Sequence, residues 1–225
     1  MNEWLDLKTI AHYAEKAVDR DWAWYEYEVN FPDLVKLLPA DVGSVLDFGC
    51  GTGEFTSLLT EKADSVTGTD VSPMIDVARV KHPEIKFVVW DGNDSVPSEL
   101  GVYDVIFAKL SLQFIEDLES TVKRLYKITK TDGYLIVSVP NPDKISKQFS
   151  FEGVENKRYQ DEIGDTGIKI NPIHRSEAEY FRVFRNAGFD VFEISKPMIP
   201  EKLCLKYNAK NGEYSSRLNL KLRKV

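Results

Sequence analysis

The sequence predicts a doubly wound α/β domain, with a mainly parallel sheet covered by helices on both faces. Three observations carry that prediction. Val45-Leu46-Asp47-Phe48-Gly49-Cys50-Gly51-Thr52-Gly53 runs a strand pattern straight into a glycine loop, and an apolar helical stretch starts near Phe55. That order of elements opens the ligand-binding half of such domains. Downstream, short β-rich runs alternate regularly with helical stretches, the pattern of a parallel sheet with right-handed crossovers. Finally, acids stand at the ends of successive strands, at Asp70 and Asp91, and the carboxyl ends of parallel strands face the ligand crevice.

The elements follow in chain order. Leu7 to Leu38 reads as helical in two or three pieces, with Pro32 opening a first turn and Leu34, Val35, Leu37 and Leu38 facing the core. Its aromatic cluster, Trp22, Trp24, Tyr25, Tyr27 and Phe31, either docks these helices on the sheet or lines a ligand pocket, since Trp and Tyr join a large apolar face to one polar tip. Phe55 to Glu61 reads as a helix. Ser65 to Asp70 reads as a strand. Ser72 caps a helix over Met74 to His82, with Pro73 in its first turn and Pro83 beyond its end. Ile85 to Trp90 and Tyr103 to Ala108 are strands, and Leu118 to Ile128 is an amphipathic helix. Thr131-Asp132-Gly133 turns the chain into a strand at Tyr134 to Val139, stopped by Pro140 and Pro142. From Asn141 to Arg175 the alternation breaks into a polar stretch of about 35 residues, long for a connection inside a domain. Ser176 caps a helix to Ala187 that Gly188 stops. Phe189 to Ile194 is a strand. The alternating tail Leu218, Leu220, Leu222 suggests the last strand, with Leu203 to Tyr207 as its rival.

With 225 residues and 43% hydrophobic content, the chain suits one domain with a modest insertion. We expect residues 1–225 to form that domain, residues 1–40 to act as a helical lid, and residues 141–175 to lie over the crevice. The net charge of -7 argues against broad nucleic-acid binding, which needs a basic face. No apolar run reaches the ~20 residues that span a bilayer. Met1 to Ile10 carries Glu3 and Asp6 and lacks the apolar centre of a signal peptide. Cys50 and Cys204 read as reduced thiols, which places the protein in the cytoplasm. A monomer or homodimer is expected.

The glycine loop also discriminates between ligands. A dinucleotide fingerprint needs G-x-G-x-x-G. Here Gly53 comes one residue early and Glu54 holds the third position. An acid there opposes a pyrophosphate at the helix N-terminus, so a nicotinamide dinucleotide is disfavoured and an uncharged or cationic ligand favoured. Asp70 lies where an acid binds ribose hydroxyls. Asp91 is placed to accept from an adenine amino group.

Taken together these residues resemble the class I S-adenosylmethionine-dependent methyltransferases, of the small-molecule kind. Val45 to Gly53 is similar to that family's first motif. Gly68-Thr69-Asp70-Val71-Ser72-Pro73-Met74 is similar to its second-strand motif, with Ala78-Arg79 in the usual place. Tyr103 to Ala108 resembles its fourth strand, Gly133 to Pro142 its fifth, and Ala187-Gly188-Phe189 the approach to its sixth. The resemblance covers about Leu34 to Ile194. It implies a Rossmann-like, seven-stranded, mostly parallel sheet with the last strand antiparallel, and S-adenosyl-L-methionine as cofactor. Residue by residue, it implies that the backbone of Gly49, Cys50, Gly51 and Gly53 passes the methionine part. Asp47 orients the loop, Asp70 takes the ribose hydroxyls, and Val71 and Met74 pack on the adenine. Asp91 and Gly92 stand at the adenine edge, and Ala108 and Lys109 border the sulfonium. Family members often carry a His-His or His-Tyr pair after the fourth strand; this chain has Gln113-Phe114.

Methyl transfer from a sulfonium is an in-line displacement that needs positioning and exclusion of water. A hydroxyl acceptor also needs a base, and His174, just before a capped helix, is the candidate; its alternative is a structural hydrogen bond. Trp24, Tyr25, Gln113 and Arg175 are candidate acceptor contacts, Arg175 through a carboxylate or else paired with Glu177 or Glu179. No metal is implied. The reading is O- or N-methylation of a small molecule, of the kind found in secondary metabolism. The alternatives are a methyltransferase for tRNA or protein and a non-catalytic cofactor-binding subunit. The first of these is opposed by Ala108-Lys109-Leu110-Ser111, where amino-methylating nucleic-acid enzymes carry an Asn/Asp-Pro-Pro-aromatic motif.

Overall fold

The computed structural model describes residues 4, 6–163 and 166–225; Glu3 lies outside them. Seven strands form one sheet: β1 Ser44–Phe48, β2 Ser65–Asp70, β3 Lys86–Val89, β4 Tyr103–Lys109, β5 Thr129–Pro140, β6 Phe189–Ser195 and β7 Arg217–Lys224. Their spatial order is β3-β2-β1-β4-β5-β7-β6. The pairs from β3 to β5 are parallel. The last strand, β7, runs antiparallel to both β5 and β6, as expected. The order reverses between β1 and β4, the position at which such sheets open a crevice.

Period-2 alternation places the core. In β4, Ile106 and Ala108 join Leu135, Val137 and Val139 of β5 in the larger cluster, whereas Val105 and Phe107 join Ile136 on the other face. Successive strand side chains point to opposite faces, so both faces of this central sheet are apolar and both are covered. The larger cluster is sealed by α5 (Leu118–Ile128) and α7 (Glu177–Ala187). Local chemistry delimits both. Asp117 accepts from the Ser120 N–H at 3.0 Å, Ser176 accepts from Glu179 N–H at 3.1 Å, and Gly188 stops α7 at φ +105°. The second cluster is covered by α2 (Phe31–Leu37) and α3 (Glu54–Leu59).

The N-terminal region is helical in pieces, as expected: α1 (Leu7–Ala17), then a π-helical turn over Glu26–Asn30 that runs into α2. Several other expectations are corrected. In α4 (Ser72–Lys81) the cap is Val71, and Ser72 already lies in the first turn without a capping hydrogen bond. β5 starts at Thr129 and passes through Asp132 at φ +61°, with a register shift against β4; the predicted turn is absorbed as a bulge. The described part of residues 141–175 holds more regular structure than its polarity suggests. Asn141 caps α6 (Pro142–Phe149), accepting from Asp143 N–H at 3.1 Å, and Pro142 occupies the first turn where its missing N–H costs nothing. Two short antiparallel pairs follow, Lys157–Arg158 with Ile173–His174 and Asp161–Glu162 with Lys169–Ile170. The rival for the last strand is a helix, α8 (Glu201–Lys206). No helix among the described residues is long and apolar enough to cross a membrane.

Candidate functional site

The glycine loop leaves β1 and is held by the neighbouring strand. Gly49 and Cys50 N–H both donate to Thr69 O, at 2.8 and 3.0 Å. Gly51 N–H donates to Asp70 Oδ2 at 2.8 Å, and Val71 N–H donates to Asp70 Oδ1 at 2.7 Å. Asp70 therefore braces the loop, a task the family resemblance gave to Asp47. Asp47 instead accepts from Thr56 Oγ of α3 at 2.7 Å and ties strand to helix. Gly51 is the open point of the turn: a Cβ there would meet nothing nearer than Tyr13 at 3.6 Å, so a ligand can approach its backbone. Gly53 serves packing, since its Cβ would lie 2.8 Å from His82. Glu54 does stand at the helix N-terminus, but Lys81 of α4 and the Thr52 hydroxyl hold its carboxylate, which softens the repulsion argued from sequence.

A cleft opens over this loop. Asp47, Gly49, Cys50, Gly51, Asp70, Val71, Met74, Asp91 and Lys109 line it, all residues expected to hold the cofactor. Trp4, Tyr13, Phe55, Trp90, Asn93, Leu110, Ser111, Phe114 and Ile115 line it too, and these the sequence reading did not assign. Tyr13 could have been found: it lies at helical spacing from Ile10 and Ala17, both buried. Its ring meets Trp4, which meets Phe114 across the cleft, at centroid distances of 5.4 and 5.6 Å. Lys81 Nζ donates to Ala14 O at 3.0 Å and anchors α1 there. Asp91 is locked by Asn93, whose N–H and amide donate to it at 3.0 and 2.8 Å.

Burial drives the electrostatics. It pushes Asp47 up to about 7, against the Thr56 hydrogen bond and the charge of Lys109. It pushes Asp70 up to about 6, against the two backbone N–H donors. A carboxyl with a folded pKa above its unfolded one binds its proton more tightly when folded. Its stabilisation is complete below the unfolded pKa and is lost as pH rises through the folded pKa. The ligand-free protein is therefore expected to lose melting temperature between about pH 4 and about pH 7. Asp47→Asn, which keeps an acceptor for Thr56, should flatten that slope and raise the melting temperature at the upper pH by roughly 5 °C. Thermal scans of both proteins at the two pH values check this; parallel slopes would contradict it.

Beyond the acids, toward β5 and β7, the charge changes sign. Lys109, at the end of β4, points its Nζ over the Phe55 ring at 3.8 Å and pairs with Glu26 at 2.8 Å. The π-helical turn carries Glu26, which also accepts from Asn30 at 2.8 Å and pairs with Arg217 at 2.6 Å. Burial pushes the Glu26 carboxyl up, but Lys109 and Arg217 outweigh it and hold it down at about 2. A widened helical turn of this kind recurs at functional sites. Nothing in the local sequence marks Glu26, whose partner Arg217 is 191 positions away.

Other expected contacts lie elsewhere. Ala108 is fully buried in the core behind Lys109, and Gly92 packs under Phe48 and Thr121. Trp24 stacks on Tyr207 at 4.5 Å, and Tyr25 donates to Pro197 O at 3.1 Å. Gln113 donates to Leu110 O at 2.7 Å and shapes the loop after β4. Arg175 is buried, donating to Leu112, Ile115 and Glu116 carbonyls and lying 3.9 Å from Glu179. His174 is buried, with Nε2 3.2 Å from Ser146 Oγ and its ring against Phe151; burial holds its pKa below the usual range. None of these lines the cleft, and among the described residues no residue of 141–175 does.

Comparison with known proteins agrees with this geometry. A methyltransferase domain family matches residues 20–194. A trans-aconitate 2-methyltransferase of Enterobacter sp. (strain 638) is 35% identical over 162 residues, covering 70% of this chain and 61% of that protein. A malonyl-[acyl-carrier protein] O-methyltransferase of Acetivibrio thermocellus is 32% identical over 177 residues, covering 74% and 62%. The chain thus matches less than two thirds of the length of either relative. Among solved structures, an S-adenosylmethionine dependent methyltransferase from Mesorhizobium loti superposes with a TM-score of 0.63 at 18% identity, covering 86% of this chain and 96% of that one. One from Clostridium acetobutylicum reaches 0.61 at 16%, covering 91% of each. The cleft fits the cofactor named for these solved structures: an open glycine backbone, an acid at the end of each of three strands for a cationic nucleoside, and Val71 and Met74 as an apolar seat. The chain belongs to the class I S-adenosylmethionine-dependent methyltransferases, and S-adenosylmethionine is its cofactor.

Proposed function

We propose that this enzyme methylates a carboxylate oxygen of a small anionic acceptor. The observation that carries the reading is the division of charge along the cleft. Asp47, Asp70 and Asp91 stand on the half at the ends of β1, β2 and β3, and Lys109 stands at the end of β4 on the other half. When bound, S-adenosylmethionine supplies a methyl group on a sulfonium sulfur. Asp70 accepts from ribose hydroxyls with the lone pairs its two backbone donors leave free. The Gly51 backbone faces the amino-acid part, and Val71 and Met74 seat the adenine beside Asp91. Trp4, Tyr13 and Phe114 exclude water from above, in keeping with a lid over residues 1–40.

A carboxylate suits a cleft built this way. Its oxygen is ionised at neutral pH, so the displacement needs no general base, and no histidine is found among the described residues of the lining. His174, with its contact to Ser146, then has no proton to move. Lys109 orients the nucleophile through a charge-assisted hydrogen bond, while Glu26 keeps the ammonium in place. Trans-aconitate and malonyl-[acyl-carrier protein], named for two relatives, are both carboxylic acids, which supports the reading. Lys109→Met is expected to lower kcat/KM for carboxylic-acid acceptors by roughly a hundredfold and to change S-adenosylhomocysteine affinity by less than about threefold. A methyl-transfer screen of carboxylic acids, phenols and amines with both enzymes checks it. Transfer to phenols or amines alone, or a Lys109→Met enzyme as fast as its parent, would sink the reading.

A further inference from the structure

We infer that the acceptor carries a second anionic group, and that Lys144 of α6 and Arg217 at the start of β7 hold it. The inference rests on the carboxylate reading above and adds the part of the acceptor remote from the methyl group.

Two cations converge on one residue. Lys144 Nζ donates to Ser216 Oγ at 2.9 Å, and Arg217 Nη1 donates to Ser216 O at 3.0 Å. Among the described residues no carboxylate forms an ion pair with Lys144; Asp161 acts on it only from farther off. Among the described residues Arg217 has a single carboxylate partner, Glu26, and shares it with Lys109. Lys109 and Arg217 therefore share one close carboxylate, and Lys144 beside Arg217 is half-buried with only the more distant Asp161 as counter-charge. Burial lowers the pKa of Lys144, and the neighbouring Arg217 lowers it further. Like charges held together out of bulk water are costly unless a counter-charge arrives. An anionic ligand supplies one.

The placement matches an acceptor that reaches out of the cleft. Lys109 pairs in register with Ser138 of β5, and Arg217 pairs with Pro140 two positions further along that strand. Asn141 N–H donates to Ser216 O at 3.2 Å, which fixes the start of β7 against the start of α6. Lys109 and the Lys144–Arg217 pair thus lie along the same carboxyl edge of the sheet, with Glu26 between them. All lie on the side away from Asp70 and Asp91. The Tyr25 ring backs Arg217 at 5.5 Å; Nε and Nη2 of Arg217 hold Glu26 and Nη1 holds Ser216 O, which leaves one N–H on each Nη for a second carboxylate. The described residues of 141–175, which line none of the cofactor cleft, contribute to the acceptor through Lys144.

The test compares diacids with neutral mimics of the same shape. The α,ω-dicarboxylates from succinate to adipate and their monoamides are titrated by calorimetry into enzyme loaded with S-adenosylhomocysteine, and assayed as methyl acceptors. The best diacid is expected to bind about tenfold more tightly than its monoamide, since one charge-assisted contact separates them. In Lys144→Met that preference should shrink to within about twofold, with S-adenosylhomocysteine affinity retained, while Lys144→Arg keeps it. A parent enzyme that binds diacid and monoamide equally, or binds neither, overturns the inference, as does a preference that survives in Lys144→Met. The two readings fail separately. Lys144-dependent diacid binding without methyl transfer would refute carboxylate methylation and keep the subsite. Equal transfer to diacids and monoamides would keep carboxylate methylation and refute the subsite.

Discussion

Asp70→Ala is expected to weaken binding of S-adenosylhomocysteine by roughly 10²- to 10³-fold. The carboxylate is fully engaged on its protein side, accepting from Gly51 N–H at 2.8 Å and Val71 N–H at 2.7 Å. Its remaining lone pairs face the cleft, where two ribose hydroxyls would each form a hydrogen bond to a charged acceptor, worth about 1.5–3 kcal/mol. Removing it also leaves Gly51 N–H without a partner at the open point of the loop. Asp70→Asn keeps one acceptor oxygen and should lose less, about tenfold. Because burial pushes Asp70 up to about 6, the affinity of the parent protein should fall as pH drops through that value, and this limb should vanish in Asp70→Ala. Calorimetry across pH, with circular dichroism to show the variants folded, measures all three effects. An Asp70→Ala affinity within about threefold of the parent would remove Asp70 from the cofactor site.

Gly49→Ala should damage the fold and the site together. Gly49 leaves β1 at φ +75°, and a Cβ there would lie 2.2 Å from Ser111 Cβ and 3.0 Å from its Oγ. The left-handed backbone costs an alanine about 1–2 kcal/mol, and the collision adds about 1–3 kcal/mol of overpacking. Ser111 cannot step aside freely, because Leu110 before it already sits at φ +54° and donates its N–H to Ser138 O at 2.8 Å. A fall in melting temperature of roughly 10 °C is expected, with cofactor binding lost as the loop is pushed into the cleft. Adding Ser111→Gly removes the collision but not the backbone cost, so the double variant should recover about half of the loss. A Gly49→Ala protein that melts with its parent would show that the loop moves away at no cost.

Elements whose boundaries rest on adjacent residues were legible. α5 and α7 begin and end where Asp117, Ser176 and Gly188 place them, because a cap is a contact over three or four positions. α6 was not legible. Its sequence holds few apolar residues, and Pro142 reads as a stop until the Asn141 side chain is seen to accept from Asp143 N–H. That Asp47, Asp70 and Asp91 line one cleft was legible because strand ends in a parallel sheet must face one crevice. The second ring of aromatics was not, since Trp4, Tyr13 and Phe114 come from separate elements that meet only in the folded chain. His174 and Arg175 show the limit from the other direction. Their sequence position at a helix entry suggested chemistry, yet Arg175 is spent on the carbonyls after β4 and His174 on Ser146. Nothing in a sequence says which way a buried side chain turns.

By itself, then, the amino-acid sequence determined the alternation of strand and helix, the glycine turn that opens the cleft, and the family whose cofactor the cleft takes. All of these depend on residues near one another along the chain and on the side-chain periods of helix and strand. The tertiary structure alone decided which residue braces the turn, which aromatics close over it, and that Glu26, Lys109 and Arg217 share one buried charge network at the carboxyl edge of the sheet. The physical reason is separation: the π-helical turn, the end of β4 and the start of β7 become neighbours only when the antiparallel last strand is laid beside β5, and the energy of a charge depends on what the finished fold puts beside it.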